Sequence, residues 1–249
     1  MKKLLGRLLG KGVSAVRPTC TAILAAAGSS QRMGSENKLL LPLDGMPVLA
    51  HTLRAVDAAQ SVDEIVIAAR EEDLLTYAEL CKTYGIRKPV KVVVGGATRQ
   101  ESVLRAALEA RADAKLLAVQ DGARPLVTPE LFDAVVLRAA VCAAAAPAVP
   151  VHDTINLSRD RRVTETPDRS MLFAVQTPQV FDAGLLKAAL QSALTEHAAL
   201  TDDCSAVERL GKAVYLTDGD EENIKITTPL DLIVAEAILR RREEREAEK

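Results

Sequence analysis

The sequence predicts an α/β fold, doubly wound, with a mostly parallel open sheet. Short apolar runs recur along the chain, amphipathic stretches separate them, and the runs are continuously apolar rather than alternating. Strands covered on both faces by crossover helices have this signature, because neither face meets water.

Taken in order, residues 21–27 read as the first strand, followed by a small-residue turn and a helix near 47–60. A second strand at 64–69 leads to a helix near 71–84. A third at 90–94 leads to a helix near 98–111, whose Thr98 and Glu101 have capping-box spacing. The fourth strand, 116–120, precedes a helix near 129–145. The alanine-rich run 139–148 reads as the end of that helix leading into a strand at 146–151. A helix near 182–196, a strand at 213–216 and a helix near 229–246 complete the alternation. Residues 152–174 break the rhythm, being polar and without a long helical pattern. With Ser158, Arg159 and Asp160 as a turn, they form either a projecting β-hairpin arm or a solvated loop.

Composition excludes several classes. With 32 Lys+Arg against 34 Asp+Glu and a net charge of -2, no global field attracts nucleic acid or an anionic membrane. Three Tyr, three Phe and no Trp provide no stacking platform for single strands or sugars. The apolar fraction of 48% supports a substantial core. Cys20, Cys81, Cys142 and Cys204 are widely spaced without a C-x-x-C pair, so a reducing, cytoplasmic setting is expected rather than a disulfide framework or zinc knuckle. Residues 1–19 read as a loosely ordered leader, since Arg7 and Lys11 interrupt the apolar run a signal peptide needs. No run approaches the roughly 18 residues of a membrane helix. Residues 20–249 are expected to form a single domain, with the arm at about 151–174.

Ligands of open α/β sheets bind beyond the carboxyl ends of the strands, so the loops there are the candidate site. After the first strand, residues 25–38 combine small residues and Gly28 with Arg32 and Lys38, a phosphate cradle or a simple tight turn. Neither G-x-G-x-x-G nor Gly-Lys-Ser/Thr occurs there. After the third strand, Gly95, Gly96 and Ser102 frame a second loop. After the fourth, Asp121 and Arg124 suit divalent-ion or phosphate recognition, or pair with each other across a turn. Near the C-terminus, Lys225 stands among apolar neighbours, turned toward a ligand or exposed on an edge.

Seven segments in order, AAAGSSQRMGSENKLLLPLDGMPVLAHTL, VVVGGATRQESV, VQDGARPLV, PVHDTI, VQTPQVF, LTDDCSAVE and NIKITTPLDL, resemble the 2-C-methyl-D-erythritol 4-phosphate cytidylyltransferases of the non-mevalonate isoprenoid pathway. The likeness spans about residues 21–239. It implies transfer of CMP from CTP to methylerythritol phosphate, with Mg²⁺, releasing pyrophosphate. It also implies that Ala26, Ala27, Gly28, Gly96, Ser102 and Gly122 line the CTP site, and that Arg32 and Lys38 contact the triphosphate. Asp121, Ala123, Arg124, Thr154, Arg169, Thr201 and Lys225 are implied for the sugar phosphate, with Arg169 and Lys225 positioning the attacking group. Phosphate oxygens and water are expected to supply most ligands of the ion, with Asp121 as the one protein ligand considered. The arm, carrying Thr154 and Arg169, is implied to reach into a partner subunit, giving a homodimer with shared sites.

Ala25, Ser30, Ala97 and Gln120 depart from the family's usual Pro, Gly, acidic residue and His, and none of these departures removes a required charge. The rival readings are a ribitol 5-phosphate cytidylyltransferase and a catalytically silent CTP-binding regulator. Thr201 to Ser205 and Asp168-Arg169 fit the first family better than the ribitol family. The chain stops shortly after the matched segment, so a fused second enzyme is not expected.

Overall fold

A computed structural model describes residues 17–28 and 37–248. Most of the leader lies outside the described residues, as does Arg32. Of the leader's last residues, Arg17 donates 2.6 Å and 3.1 Å hydrogen bonds to both carboxylate oxygens of Asp63.

In chain order the elements are β1 (Cys20–Ala25), β2 (Pro42–Leu43), β3 (Met46–Pro47), α1 (Val48–Ala58), β4 (Glu64–Ala69), α2 (Leu74–Thr83), β5 (Val90–Val94), α3 (Arg99–Glu109), β6 (Leu116–Asp121), α4 (Pro129–Cys142) and β7 (Ala144–Pro150). There follow β8 (Leu157–Arg159), β9 (Arg162–Glu165), β10 (Phe173–Val175), β11 (Gln179–Asp182), α5 (Ala183–Thr195), α6 (Asp203–Arg209), β12 (Tyr215–Asp218) and α7 (Pro229–Ala247).

The main sheet runs β12, β7, β10/β11, β6, β1, β4, β5. Pairings of β1 with β4 and β6, and of β4 with β5, are parallel. β10 and β11 are antiparallel to their neighbours and lie along β7 as two halves of one interrupted strand. The open, mostly parallel α/β sheet is therefore as the sequence predicts, with one reversed strand.

The two faces separate by the two-residue period of a strand. Ala22, Leu24, Ile65, Ile67 and Ala118 face a core with Leu49, Leu53 and Val56 of α1, Tyr77 of α2 and Phe132 of α4. Ile23, Val66, Leu117 and Val119 face a second core with Val103 of α3, Leu186 and Leu190 of α5 and Val207 of α6. Both faces of β1, β4 and β6 are thus buried, which is why their residues read as unbroken apolar runs.

The sequence reading differs from the structure in three places. The helix read to residue 145 ends at Cys142, because Ala143 adopts a left-handed conformation (φ 67°) and β7 begins at Ala144. Alanine suits either state, so only the packing places this boundary. β2, β3, β10, β11 and α6 were not anticipated: the strands are two to four residues long, and α6 starts on the capping box of Asp202 and Ser205. The hairpin arm forms from β8 and β9, but its turn is centred on Asp160 and Arg161, both left-handed (φ 51° and 62°), rather than on Ser158 to Asp160. Every residue of β8 and β9 is exposed.

α7 is fastened to the segment preceding Lys225 by Glu222, which accepts hydrogen bonds from Arg241, Arg242 and Arg245 at 2.6, 2.6 and 2.9 Å. Partial burial opposes ionisation of Glu222, but the three guanidinium groups outweigh it and hold the carboxyl at about 2. A carboxyl depressed on folding contributes fully above its unfolded pKa of about 4.3 and loses that contribution as pH falls toward about 2. Glu222→Gln is expected to lower unfolding free energy by about 1 kcal/mol at pH 7, since Arg241 and Arg245 are more than half exposed and screened by water. The gap should narrow below pH 4 in urea titrations. A gap unchanged between pH 7 and pH 3 would contradict this account.

Candidate active site

Loops following β1, β5 and β6 converge at the carboxyl end of the sheet. The register aligns Ala25 of β1 with Asp121 of β6 and with Ala68 of β4, so three strands end at one level. There they enclose a cavity of about 310 Å³ lined by Ala25 to Gly28, Lys38, Leu39, Gly96 to Arg99, Ser102, Asp121, Ala123 and Lys225.

Small residues make this close approach possible. A Cβ on Gly122 would stand 3.2 Å from a Leu49 methyl and 3.3 Å from the Ala25 carbonyl oxygen. Gly122 lies beneath the floor, its carbonyl accepting from Thr52 Oγ1 at 3.0 Å. A Cβ on Gly95 would come within 2.6 Å of Ala27 Cβ and 2.8 Å of Ser102 Oγ, so only glycine lets these two loops touch.

The β5–α3 loop is built by its own side chains. Thr98 caps α3 by accepting from Glu101 N, and the Glu101 carboxylate accepts from Ala97 N at 2.8 Å. Ser102, almost fully buried, accepts from Gly96 N at 3.0 Å and donates to Thr98 O at 2.8 Å. Its single proton is thereby committed, leaving an acceptor lone pair.

Electrostatically the cavity centres on Asp121. Lys225 Nζ lies 2.8 Å from Asp121 Oδ2, Arg124 Nε 3.6 Å from the same oxygen, and Arg99 Nη2 3.5 Å from Oδ1. Burial disfavours the carboxylate, but Lys225, Arg99 and Arg124 together overcome that cost and hold the carboxyl below its ordinary value. The Asp121 to Arg124 pairing therefore exists, and Arg124 also donates to Asn223 O at 2.6 Å. Lys225 is turned inward, and Lys38 Nζ, opposite, donates to Ile226 O at 2.9 Å.

The chain entering Lys38 is clamped by Asn37, whose Nδ2 donates to Asp73 Oδ2 at 3.0 Å and Tyr77 Oη at 2.9 Å. Its Oδ1 accepts from Leu39 N at 3.1 Å. Burial pushes the Tyr77 hydroxyl up to about 12, keeping it neutral in this clamp.

Of the residues expected from sequence, Ala26, Ala27, Gly28, Lys38, Gly96, Ser102, Asp121, Ala123 and Lys225 line the cavity. Gly122 and Arg124 support it from below and beside. Thr154, Arg169 and Thr201 are exposed and do not line it in a single chain. Arg169, in the one-turn helix Arg169–Met171 capped by Asp168, donates to His152 O at 2.7 Å.

Sequence reasoning missed Asn37, Arg99 and Asp203. Arg99 directly follows the N-cap Thr98, and that position sends it back toward the strand ends. Its Nη2 lies 2.8 Å from Oδ2 of Asp203, which is wholly buried at the start of α6.

The comparisons with known proteins agree with this geometry. The family model for 2-C-methyl-D-erythritol 4-phosphate cytidylyltransferase matches residues 20–241. A protein of that name from Bacillus cytotoxicus is 44% identical over 220 residues, covering 88% of this chain and 97% of its own length. Its counterpart from Synechocystis is 41% identical over 227 residues, covering 90% and 99%. The crystal structure of 4-diphosphocytidyl-2C-methyl-D-erythritol synthase from Anaerococcus prevotii superposes with a TM-score of 0.81 at 30% identity, covering 90% of this chain and 96% of that one. The Thermus thermophilus cytidylyltransferase gives a TM-score of 0.72 at 31% identity, covering 89% and 99%. From the strand-end loops to the near full-length match, the chain belongs to the 2-C-methyl-D-erythritol 4-phosphate cytidylyltransferase family.

Proposed function

We propose that this chain transfers CMP from CTP to 2-C-methyl-D-erythritol 4-phosphate, giving 4-diphosphocytidyl-2-C-methyl-D-erythritol and pyrophosphate. The observation that carries the reading is the convergence of Lys38, Lys225 and Asp121 on one small-residue cavity at the strand ends. The acceptor's phosphate has a second pKa near 6 and is mostly dianionic at neutral pH. It attacks the α-phosphorus of CTP in line, the new P–O bond forming as the bond to pyrophosphate breaks, and no general base is required. What must be overcome is repulsion between two polyanions. Lys38 and Arg32 are assigned to the triphosphate, and Lys225, Arg124 and Arg169 to the acceptor, acting through positioning and preorganised charge.

Ala26, Ala27, Gly28, Gly96 and Gly122 admit the nucleotide. Ser102 favours cytosine over uracil, since its free lone pair accepts from the 4-amino group while its committed proton is not offered to a 4-carbonyl oxygen. Wild-type protein is expected to use CTP at least 10²-fold better than UTP, and Ser102→Ala to shrink that ratio about tenfold. Equal CTP/UTP ratios in parent and variant would sink this assignment.

Mg²⁺ fits as an ion held largely by phosphate oxygens. Among the described residues no group of three or more His, Cys, Asp or Glu forms a protein-built metal centre, and Asp121 is the one carboxylate lining the cavity. Asp121 would be the side chain beside such an ion, which would supply neutralisation of phosphate charge.

The arm at about 151–174 is read as a dimerisation element. It exposes Ile155, Leu157, Val163 and Met171, and its Thr154 and Arg169 do not line the cavity of their own chain. The exposed apolar residues of the arm support a homodimer of single transferase domains, residues 20–249, with arm-shared sites. Cytoplasmic residence agrees with four free thiols. Among the described residues no helix is long and apolar enough to cross a membrane. Pyrophosphate release from CTP with methylerythritol phosphate, against ribitol 5-phosphate, tests the acceptor. Turnover of the ribitol ester alone would overturn it, and CTP binding without turnover of either would indicate a silent regulator.

A further inference from the structure

Asp203 stands out because burying a carboxylate costs several kcal/mol unless charge and hydrogen bonds compensate. It is fully buried, and the cation set against it is Arg99. Burial pushes its carboxyl up, and Arg99 opposes that with Nη2 2.8 Å from Oδ2, while the same nitrogen, which carries two N–H groups, also reaches Asp121 Oδ1 at 3.5 Å. The placement is not accidental to the fold. Gln179 Oε1 accepts from both Asp203 N and Cys204 N at 3.1 Å, and Gln179 Nε2 grips the Asp202 carboxylate at 2.8 Å.

We propose that Arg99 is a positioning residue for the Asp121 carboxylate, and that Asp203 is the buried counter-charge that keeps Arg99 in that role. Asp121 has cations on both oxygens, Arg99 on one and Lys225 with Arg124 on the other. This sets the plane of the carboxylate. Without the negative charge of Asp203, the guanidinium has Asp121 as its nearest anion and closes onto it, taking Oδ1 away from the substrates. Asp203 thus stops a necessary cation from over-pairing with a necessary anion. The inference rests on the cavity being the CTP and acceptor site.

The test is turnover per CTP-binding site, with sites counted by calorimetric titration. A purely structural role for Asp203 would reduce the number of competent sites and the melting temperature without changing kcat per site. Asp203→Asn is expected to lower kcat per site by 10-fold or more, a misplaced group of this kind costing up to ~10², with the CTP Kd within threefold of the parent. The double variant Arg99→Gln/Asp203→Asn should recover at least threefold over Asp203→Asn, because the surplus cation is gone. Arg99→Lys, whose point charge cannot face both carboxylates, should show the same kcat loss at unchanged stability, and it carries the test if Asp203→Asn fails to fold. Parent-like kcat per site in Asp203→Asn or in Arg99→Lys overturns the inference, as does a double variant slower than Asp203→Asn. Absence of CTP binding by the parent would instead overturn the site assignment itself.

Discussion

Replacing Lys38 with alanine is expected to lower kcat by about 10² to 10³ while altering acceptor binding much less. The estimate follows the loss seen when one preorganised donor is removed from a developing negative charge. Lys38 lies on the cavity wall and its ammonium is fixed by Ile226 O, immediately beyond Lys225. Asn37 is locked by Asp73 and Tyr77, so the charge is positioned before any substrate arrives. A fixed cation stabilises charge without reorganising during the reaction, which is why its loss falls on turnover. Steady-state pyrophosphate release at saturating CTP and acceptor is the measurement. A variant with parent-like kcat and only a raised acceptor KM would place Lys38 on the other substrate.

Arg169→Ala should raise the acceptor KM by about 10² and leave the CTP Kd nearly unchanged, the loss of a charge-assisted phosphate contact being worth about 2 to 3 kcal/mol. Within one chain Arg169 is exposed and bonded to the His152 carbonyl, away from the cavity. In the proposed homodimer, its contribution is made to the partner subunit's cavity. Heterodimers of Arg169→Ala and Lys38→Ala chains contain one site bearing both lesions and one bearing neither, provided the arm crosses over. Mixed dimers should then regain activity neither homodimer has. No recovery in verified heterodimers would place Arg169 in its own subunit's site, and equal loss of CTP and acceptor binding would reject its assignment to the acceptor.

Several of these roles were legible as residue types in loops. Gly28 and Lys38 lie in the segment that follows β1, Gly96 in the loop after β5 and Asp121 at the end of β6, and the burial of β1, β4 and β6 is written in unbroken apolar runs such as Glu64–Ala69. Thr98 and Glu101 announced their cap, and the geometry agrees. Arg99 was not legible beside them, because its neighbours in the chain explain the segment as a helix start. Its partner Asp203 comes from 104 positions later. Asn37 looked like a loop residue until Asp73 and Tyr77 were brought against it. β10 and β11 escaped notice for the related reason that three or four residues show little periodicity, and their strand state comes from pairing with β6 and β7.

By itself, the sequence determined the class of fold and the strand-end loops that line the cavity, because hydrophobic period and small-residue turns are local properties, whereas it left residues 152–174 open between a hairpin arm and a loop. The tertiary structure alone decided how the charges are shared. Whether Asp121 belongs to Arg124, Lys225 or Arg99 depends on distances of a few ångströms between loops far apart in the chain. Coulombic coupling, steep at that range and strengthened by burial, turns those distances into a site.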